Sequence, residues 1–145
     1  MTFNRRILGL DFGAKRIGAA ISDLLKVTAQ PLDTIEYKTE EQLWLKLDQI
    51  WSVYDFELVV VGLPVNMNGS LGFSSQNARE FAGKIADRFH TPVDFWDERL
   101  TSYMAKKTLR EMGIKLSRHR GAIDRIAAVL ILQGYLDRQQ HSGSE

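Results

Sequence analysis

The chain switches between two hydrophobic periods, and their order predicts an α/β domain. Apolar runs at Arg6–Leu10 (RILGL) and Ile17–Ser22 (IGAAIS) are joined by DFGAKR, with Gly13 as the natural turn residue. Two apolar runs on so short a link predict an antiparallel hairpin. A third extended piece is expected over Val27–Tyr37, where Pro31 opposes a helix. The period then lengthens. Leu43, Leu47, Ile50, Trp51 and Tyr54 fall on one helical face, and Thr39 with Gln42 three residues on gives a capping-box pattern. Trp44 and Trp51 lie on that stripe or at its border and are read as core. Glu57–Leu63 (ELVVVGL) predicts a strand buried on both faces. After the loop GLPVNMNGSLG, the positions Ala78, Phe81, Ala82, Ile85, Ala86 and Phe89 predict a helix from Ser75 to His90. Thr91-Pro92 ends it, and Val93–Trp96 is a short strand. A helix over Thr101–Met112 is expected to close at Gly113. The basic loop IKLSRHRG leads into a last helix with Ile123, Ile126, Ala127, Leu130, Ile131, Gly134 and Tyr135 on one face. The order βββ-α-β-α-β-α-α indicates one α/β domain over residues 1–138 with a mixed sheet, followed by a polar, disordered tail over 139–145.

Composition narrows the class. A chain of 145 residues, 44% hydrophobic and 26% charged, suits one globular domain and not two thin ones. With no cysteine, disulfide scaffolds, thiolate zinc, iron–sulfur clusters and thiol catalysis are excluded. No apolar run approaches the ~20 residues of a bilayer span, and the apolar stretch near the start is broken by Gly9 and Asp11. A cytoplasmic protein with no membrane partner is expected. The net charge of +1 hides an asymmetry: Lys106–Arg125 holds seven bases against two acids, and Asp23–Glu57 holds eight acids against three bases. That pattern fits either a basic face for a polyanion or chance clustering of solvated charge.

Three carboxylates stand where chemistry could occur. Asp11 closes the first apolar strand before a glycine turn, and in open α/β sheets ligands bind beyond the carboxyl ends of strands. It could equally hydrogen-bond its own turn. Glu98 follows the last strand; alternation puts Asp94, Trp96 and Glu98 on one face and Phe95 and Asp97 on the other. Its plain reading is complementation of a helix dipole. Asp124 opens the last helix, where an acid is also routine, but Ala127, Ala128 and Ile131 share its side and should pack on the sheet. Converging carboxylates suit hard cations such as Mg²⁺. Two such ions about 3.5–4 Å apart can activate water, orient a phosphodiester and stabilise the leaving oxygen. The three histidines, His90, His119 and His141, have no metal-ligand spacing. DFG without a glycine-rich loop or HRD segment is no kinase signature, and no GxxxxGK[ST] is present.

LGLDFGAKRIGAAISD, VVVGLPVNMNGSLG, DERLTS and AIDRIAAVLILQGYLD stand in the order and spacing of the YqgF-type family of pre-16S ribosomal RNA nucleases and Holliday-junction-resolvase-like proteins. The resemblance spans Arg5 to Asp137. It implies a ribonuclease H-like α/β fold: a five-stranded mixed sheet, its first three strands antiparallel, flanked by helices. It also implies that Asp11, Glu98 and Asp124 are the catalytic acids and hold one or two Mg²⁺ or Mn²⁺ ions. Lys15 and Arg16 would lie beside the site and grip the scissile strand, while Arg99, Thr101 and Ser102 would shape it. Asn66 and Asn68 belong to a loop that either faces substrate or is a plain capped turn. The basic segment, with Arg118, Arg120 and Arg125, would bind the nucleic-acid backbone with salt-dependent affinity.

The expectation is a metal-dependent endonuclease, a hydrolase acting on pre-16S rRNA within a ribosome precursor, with a four-way DNA junction as the alternative substrate. Junction resolution would call for a homodimer, and trimming of one RNA end for a monomer only. A non-catalytic nucleic-acid-binding module is the rival class. An actin-like ATPase would need a second subdomain for which 145 residues leave no room.

Overall fold

In a computed structural model of the chain, the described residues are 5–13, 15–64, 73–98, 110–111 and 120–143. They form β1 (Arg6–Phe12), β2 (Arg16–Ser22), β3 (Ala29–Glu36), α1 (Glu40–Val53), β4 (Phe56–Leu63), α2 (Phe73–Phe89), β5 (Val93–Asp97) and α3 (Arg120–Gly143). The sheet order is β3-β2-β1-β4-β5. β1, β2 and β3 pair antiparallel, while β1–β4 and β4–β5 are parallel. Of the helix expected over Thr101–Met112, only Arg110 and Glu111 are described, and both are helical.

Strand alternation builds two cores. Leu8 and Leu10 of β1 and Val59, Val61 and Leu63 of β4 point to one side, where they pack with Leu43, Leu47, Phe81 and Ile85 of α1 and α2. Ile7 and Val60 point to the other, against Ala128, Ile131, Leu132 and Leu136 of α3. β4 is thus buried on both faces, as its β-branched run predicts.

α1 begins at Thr39, whose hydroxyl accepts from the Gln42 amide N–H. The Gln42 carboxamide reaches back one residue further than in an ordinary capping box and accepts from the Lys38 N–H at 2.9 Å. Two ion pairs, Arg88–Asp48 and Lys84–Glu40, tie α2 to α1. Beneath them Trp51 stacks on Phe89 at 3.8 Å. The acid-rich stretch Asp23–Glu57 is therefore no acidic face: Glu36, Glu40, Asp48 and Glu57 each sit beside a base.

Two expectations need correction. β1 runs to Phe12, not Leu10, so Asp11 lies inside the strand, paired with Gly18. The buried face of α3 is rotated from the one read off the sequence: Ala128, Leu132 and Leu136 are buried with Ala127, Ile131 and Tyr135, and Ile126 and Leu130 are only half-buried. Residues 126–132 are apolar all round, so periodicity could not choose a face. Gly9 chooses it: a Cβ there would fall 2.8 Å from Leu132 Cβ, so its bare backbone lets that side of α3 settle on β1. α3 continues to Gly143.

Candidate active site

The register of β1 and β4 sets the site. Ile7, Gly9 and Asp11 alternate onto the α3 face of the sheet, and Leu8, Leu10 and Phe12 onto the other. Asp11 is half-buried at the carboxyl end of β1. Across β4, the chain leaves β5 with the Glu98 N–H donating to the Leu63 carbonyl at 3.1 Å. The predicted alternation holds: Phe95 packs toward α1 and α2, while Trp96 and Asp94 meet Tyr135 of α3. Glu98 continues that second set and is buried, 8% exposed, whereas Asp97 is exposed.

Gly62 lies between the two acids. A Cβ on it would fall 2.8 Å from both Cγ and Oε1 of Glu98 and 2.6 Å from Ile131 Cδ1. The missing side chain is the space the Glu98 carboxyl occupies. Burial, a hydrogen bond with Asp11 and the charges of Asp11 and Asp97 push the Glu98 carboxyl up to about 10. Burial and the neighbouring acids therefore hold the Glu98 carboxyl toward its protonated form. A cation in the proton's place would reverse the shift.

Such an ion fits the residues present. The donors are carboxylate oxygens, which hard divalent cations prefer, and among the described residues no base pairs with either acid. The described residues bring together two acids and no group of three or more metal-ligating side chains. Asp124, Arg120 and Arg125 fall within α3, but their side chains lie outside the described residues, as do Asn66, Asn68, Arg99, Thr101, Ser102, Arg118 and His119 altogether. Lys15 is exposed at the β1–β2 turn, at the same end of the sheet; Arg16 opens β2 with its Nε 4.0 Å from Glu36.

Gly62 went unnoticed in the sequence. The signal for Gly62 was the break it makes in ELVVVGL, since a glycine inside a buried strand often marks a close approach. No described helix is long and apolar enough to cross a membrane.

A five-stranded mixed sheet of order β3-β2-β1-β4-β5 with helices packed on both faces is a ribonuclease H-like fold of the kind found in resolvases. The chain superposes on Thermus thermophilus RuvC in complex with a Holliday junction substrate with a TM-score of 0.56 at 16% identity, covering 93% of this chain and 96% of that one. For the fowlpox virus resolvase with its Holliday junction DNA the TM-score is 0.59 at 14% identity, with coverages of 92% and 98%. At sequence level the chain belongs to the RuvX family, described as Holliday junction resolvase, which matches residues 5–138. Its relatives include a Ruminiclostridium cellulolyticum protein, 46% identical over 92% of this chain and 94% of that one, and a Clostridium kluyveri protein, 44% identical over 92% and 97%. Both carry the name "Putative pre-16S rRNA nuclease". By family the chain is a nuclease, a hydrolase of phosphodiester bonds.

Proposed function

We propose that this nuclease is metal-dependent and processes pre-16S rRNA, with Asp11, Glu98 and Asp124 as its catalytic acids. The observation that carries the reading is the Asp11–Glu98 pair over Gly62, two carboxyls held together at the cost of burial and like-charge repulsion. An arrangement of that kind is unfavourable by itself and becomes favourable around Mg²⁺ or Mn²⁺. Asp124 stands in α3 seven residues, two helical turns, before Ile131, whose side chain borders the same space.

The bound metal supplies an activated water and charge stabilisation for the leaving oxygen. This chain's residues do the rest. Asp11 from β1 and Glu98 from the end of β5 would hold the ion across β4, Gly62 leaves room for Glu98, and Ile131 excludes bulk water from the buried side of Glu98. Lys15 and Arg16 hold the strand at the open side.

The names of the close relatives favour pre-16S rRNA in a ribosome precursor as the substrate. The second reading, a four-way DNA junction cut by a homodimer, is favoured by the family description and by the two junction-bound neighbours. Cleavage of labelled pre-16S RNA fragments and of a four-way DNA junction, each with Mg²⁺, Mn²⁺ or EDTA and with Asp11→Asn as control, separates them. Metal-dependent cutting of the RNA alone, lost in the variant, is the expected result. Cutting of the junction alone would replace the substrate. Equal binding by both proteins with no cutting would leave a non-catalytic binding module.

A further inference from the structure

Phe12 follows Asp11 in β1, so its ring emerges on the opposite face of the sheet at the same carboxyl end. There a cleft of about 270 Å³ opens between α1 and α2. Its walls are aromatic: Phe12 stacks on Phe81 at 4.7 Å between centroids, Trp44 lies 5.9 Å from Phe81, and Tyr37 closes one side. Tyr37 is fixed by donating its hydroxyl hydrogen to the Gly13 carbonyl at 2.9 Å. The indole N–H of Trp44 and the ammonium of Lys84 are both engaged by Glu40, at 3.3 and 2.8 Å. That leaves the Asn77 carboxamide and the Glu80 carboxylate as the other polar groups of the lining. Tyr37 also forms the wall of a neighbouring cleft, whose charged lining is Lys15, Arg16, Lys38 and Lys46 against the single acid Glu36.

An aromatic slot with a donor–acceptor amide and a carboxylate, one wall away from four cations, has the chemistry of a nucleotide. Unpaired bases are bound by stacking on aromatic rings and by hydrogen bonds to their edges, and the phosphates beside them by lysine and arginine. We propose that the two clefts form a nucleotide subsite: the aromatic cleft takes an unpaired nucleobase of the bound strand, and the cationic cleft takes the adjoining backbone phosphates. A carboxylate only accepts, so Glu80 favours a base edge rich in N–H donors. The inference rests on the nuclease reading and adds to it an unpaired segment in the strand the protein holds.

The test is binding of short fluorescein-labelled single-stranded RNA in EDTA, read by anisotropy, with one abasic site moved along the strand. In the wild-type protein, base removal at one position should weaken binding about tenfold, as expected for the loss of one stacked base. Trp44→Leu should bind the intact strand as weakly as the wild type binds that abasic strand, with no further loss on base removal. Asn77→Ala, at a half-buried helical position, is the second variant should Trp44→Leu unfold, and it should flatten any preference among the four bases at that position. Lys38→Ala with Lys46→Ala should weaken all strands alike and reduce the salt dependence of binding. Equal penalties at every position, or a position-specific penalty unchanged in both Trp44→Leu and Asn77→Ala, overturns the subsite. Wild-type protein that cuts RNA in Mg²⁺ yet shows no such position loses the subsite alone; protein that neither binds nor cuts loses the functional reading with it.

Discussion

Gly62 and Glu98 occupy one space between them: a Cβ on the glycine would fall 2.8 Å from Oε1 of the acid. The absence of a side chain on β4 is therefore part of how the acid after β5 is aimed. Gly62→Ala should cost about 1–3 kcal/mol through overpacking and roughly a hundredfold in kcat, since displacement by ~1 Å can cost that much. Ile131 Cδ1 meets the same Cβ at 2.6 Å. Adding Ile131→Val should then recover part of the Tm and none of the kcat. Recovery of both would mean that Glu98 had never been displaced.

The carboxylate pair predicts a trade of stability against function. Asp11→Asn and Glu98→Gln should each abolish cleavage, and Glu98→Gln should also raise the stability measured in EDTA at neutral pH, because a neutral amide replaces a carboxyl that must take up a proton on folding. Mg²⁺ should raise the wild-type Tm through preferential binding to the folded state and leave both variants where they were. Thermal melts with and without metal read this directly. A wild-type Tm indifferent to Mg²⁺ would argue against the ion.

Tyr135 should make stability sensitive to alkaline pH. Its hydroxyl donates to Asp94 Oδ2 at 2.9 Å. Burial, then that hydrogen bond, push the phenol up to about 12. Because the folded pKa lies above the unfolded value of about 10, the contribution is whole below that pH and disappears as pH rises toward 12. Tyr135→Phe should cost about 1.5 kcal/mol at neutral pH, and the difference from wild type should shrink across that window in denaturant titrations. A gap that stays constant to the top of the range would assign the loss to packing.

Gln133 acts as a surrogate peptide group for the edge strand. Its Oε1 accepts from the Ala29 N–H and its Nε2 donates to the Val27 carbonyl, both at 2.9 Å. Gln133→Ala should cost about 1 kcal/mol and accelerate amide exchange at Ala29 more than at Ala19 in the buried centre of β2. Gln133→Glu keeps the acceptor and loses the donor, and should fall between the two. Uniform acceleration over the sheet would instead point to a global loss of stability.

The elements were legible in the sequence wherever burial is one-sided or complete. Leu43, Leu47 and Ile50 mark α1 by their spacing, ELVVVGL marks a central strand, and Pro92 and Gly13 mark breaks, because each pattern follows from local geometry of the chain. The same local rule placed Glu98 with Asp94 and Trp96, away from Asp97, and the fold keeps that division. Asp11 and Glu98 were candidates from position and residue type alone.

What local rules could not decide is which non-local surfaces meet. The face α3 turns to the sheet depends on Gly9 opposite Leu132, since residues 126–132 are apolar in every direction. The pairing of Asp11 with Glu98 depends on β4 lying between β1 and β5 in parallel register, and on Gly62 standing at the height of both. Likewise the aromatic cleft joins Phe12 to residues of α1 and α2 that are distant in the chain. The sequence alone determined the elements, their order and the residues able to do chemistry, because backbone periodicity and side-chain type are local properties. Only the tertiary structure decided that Glu98 is buried beside Asp11 and fills the space left by Gly62, because burial and distance arise when separate strands are brought side by side.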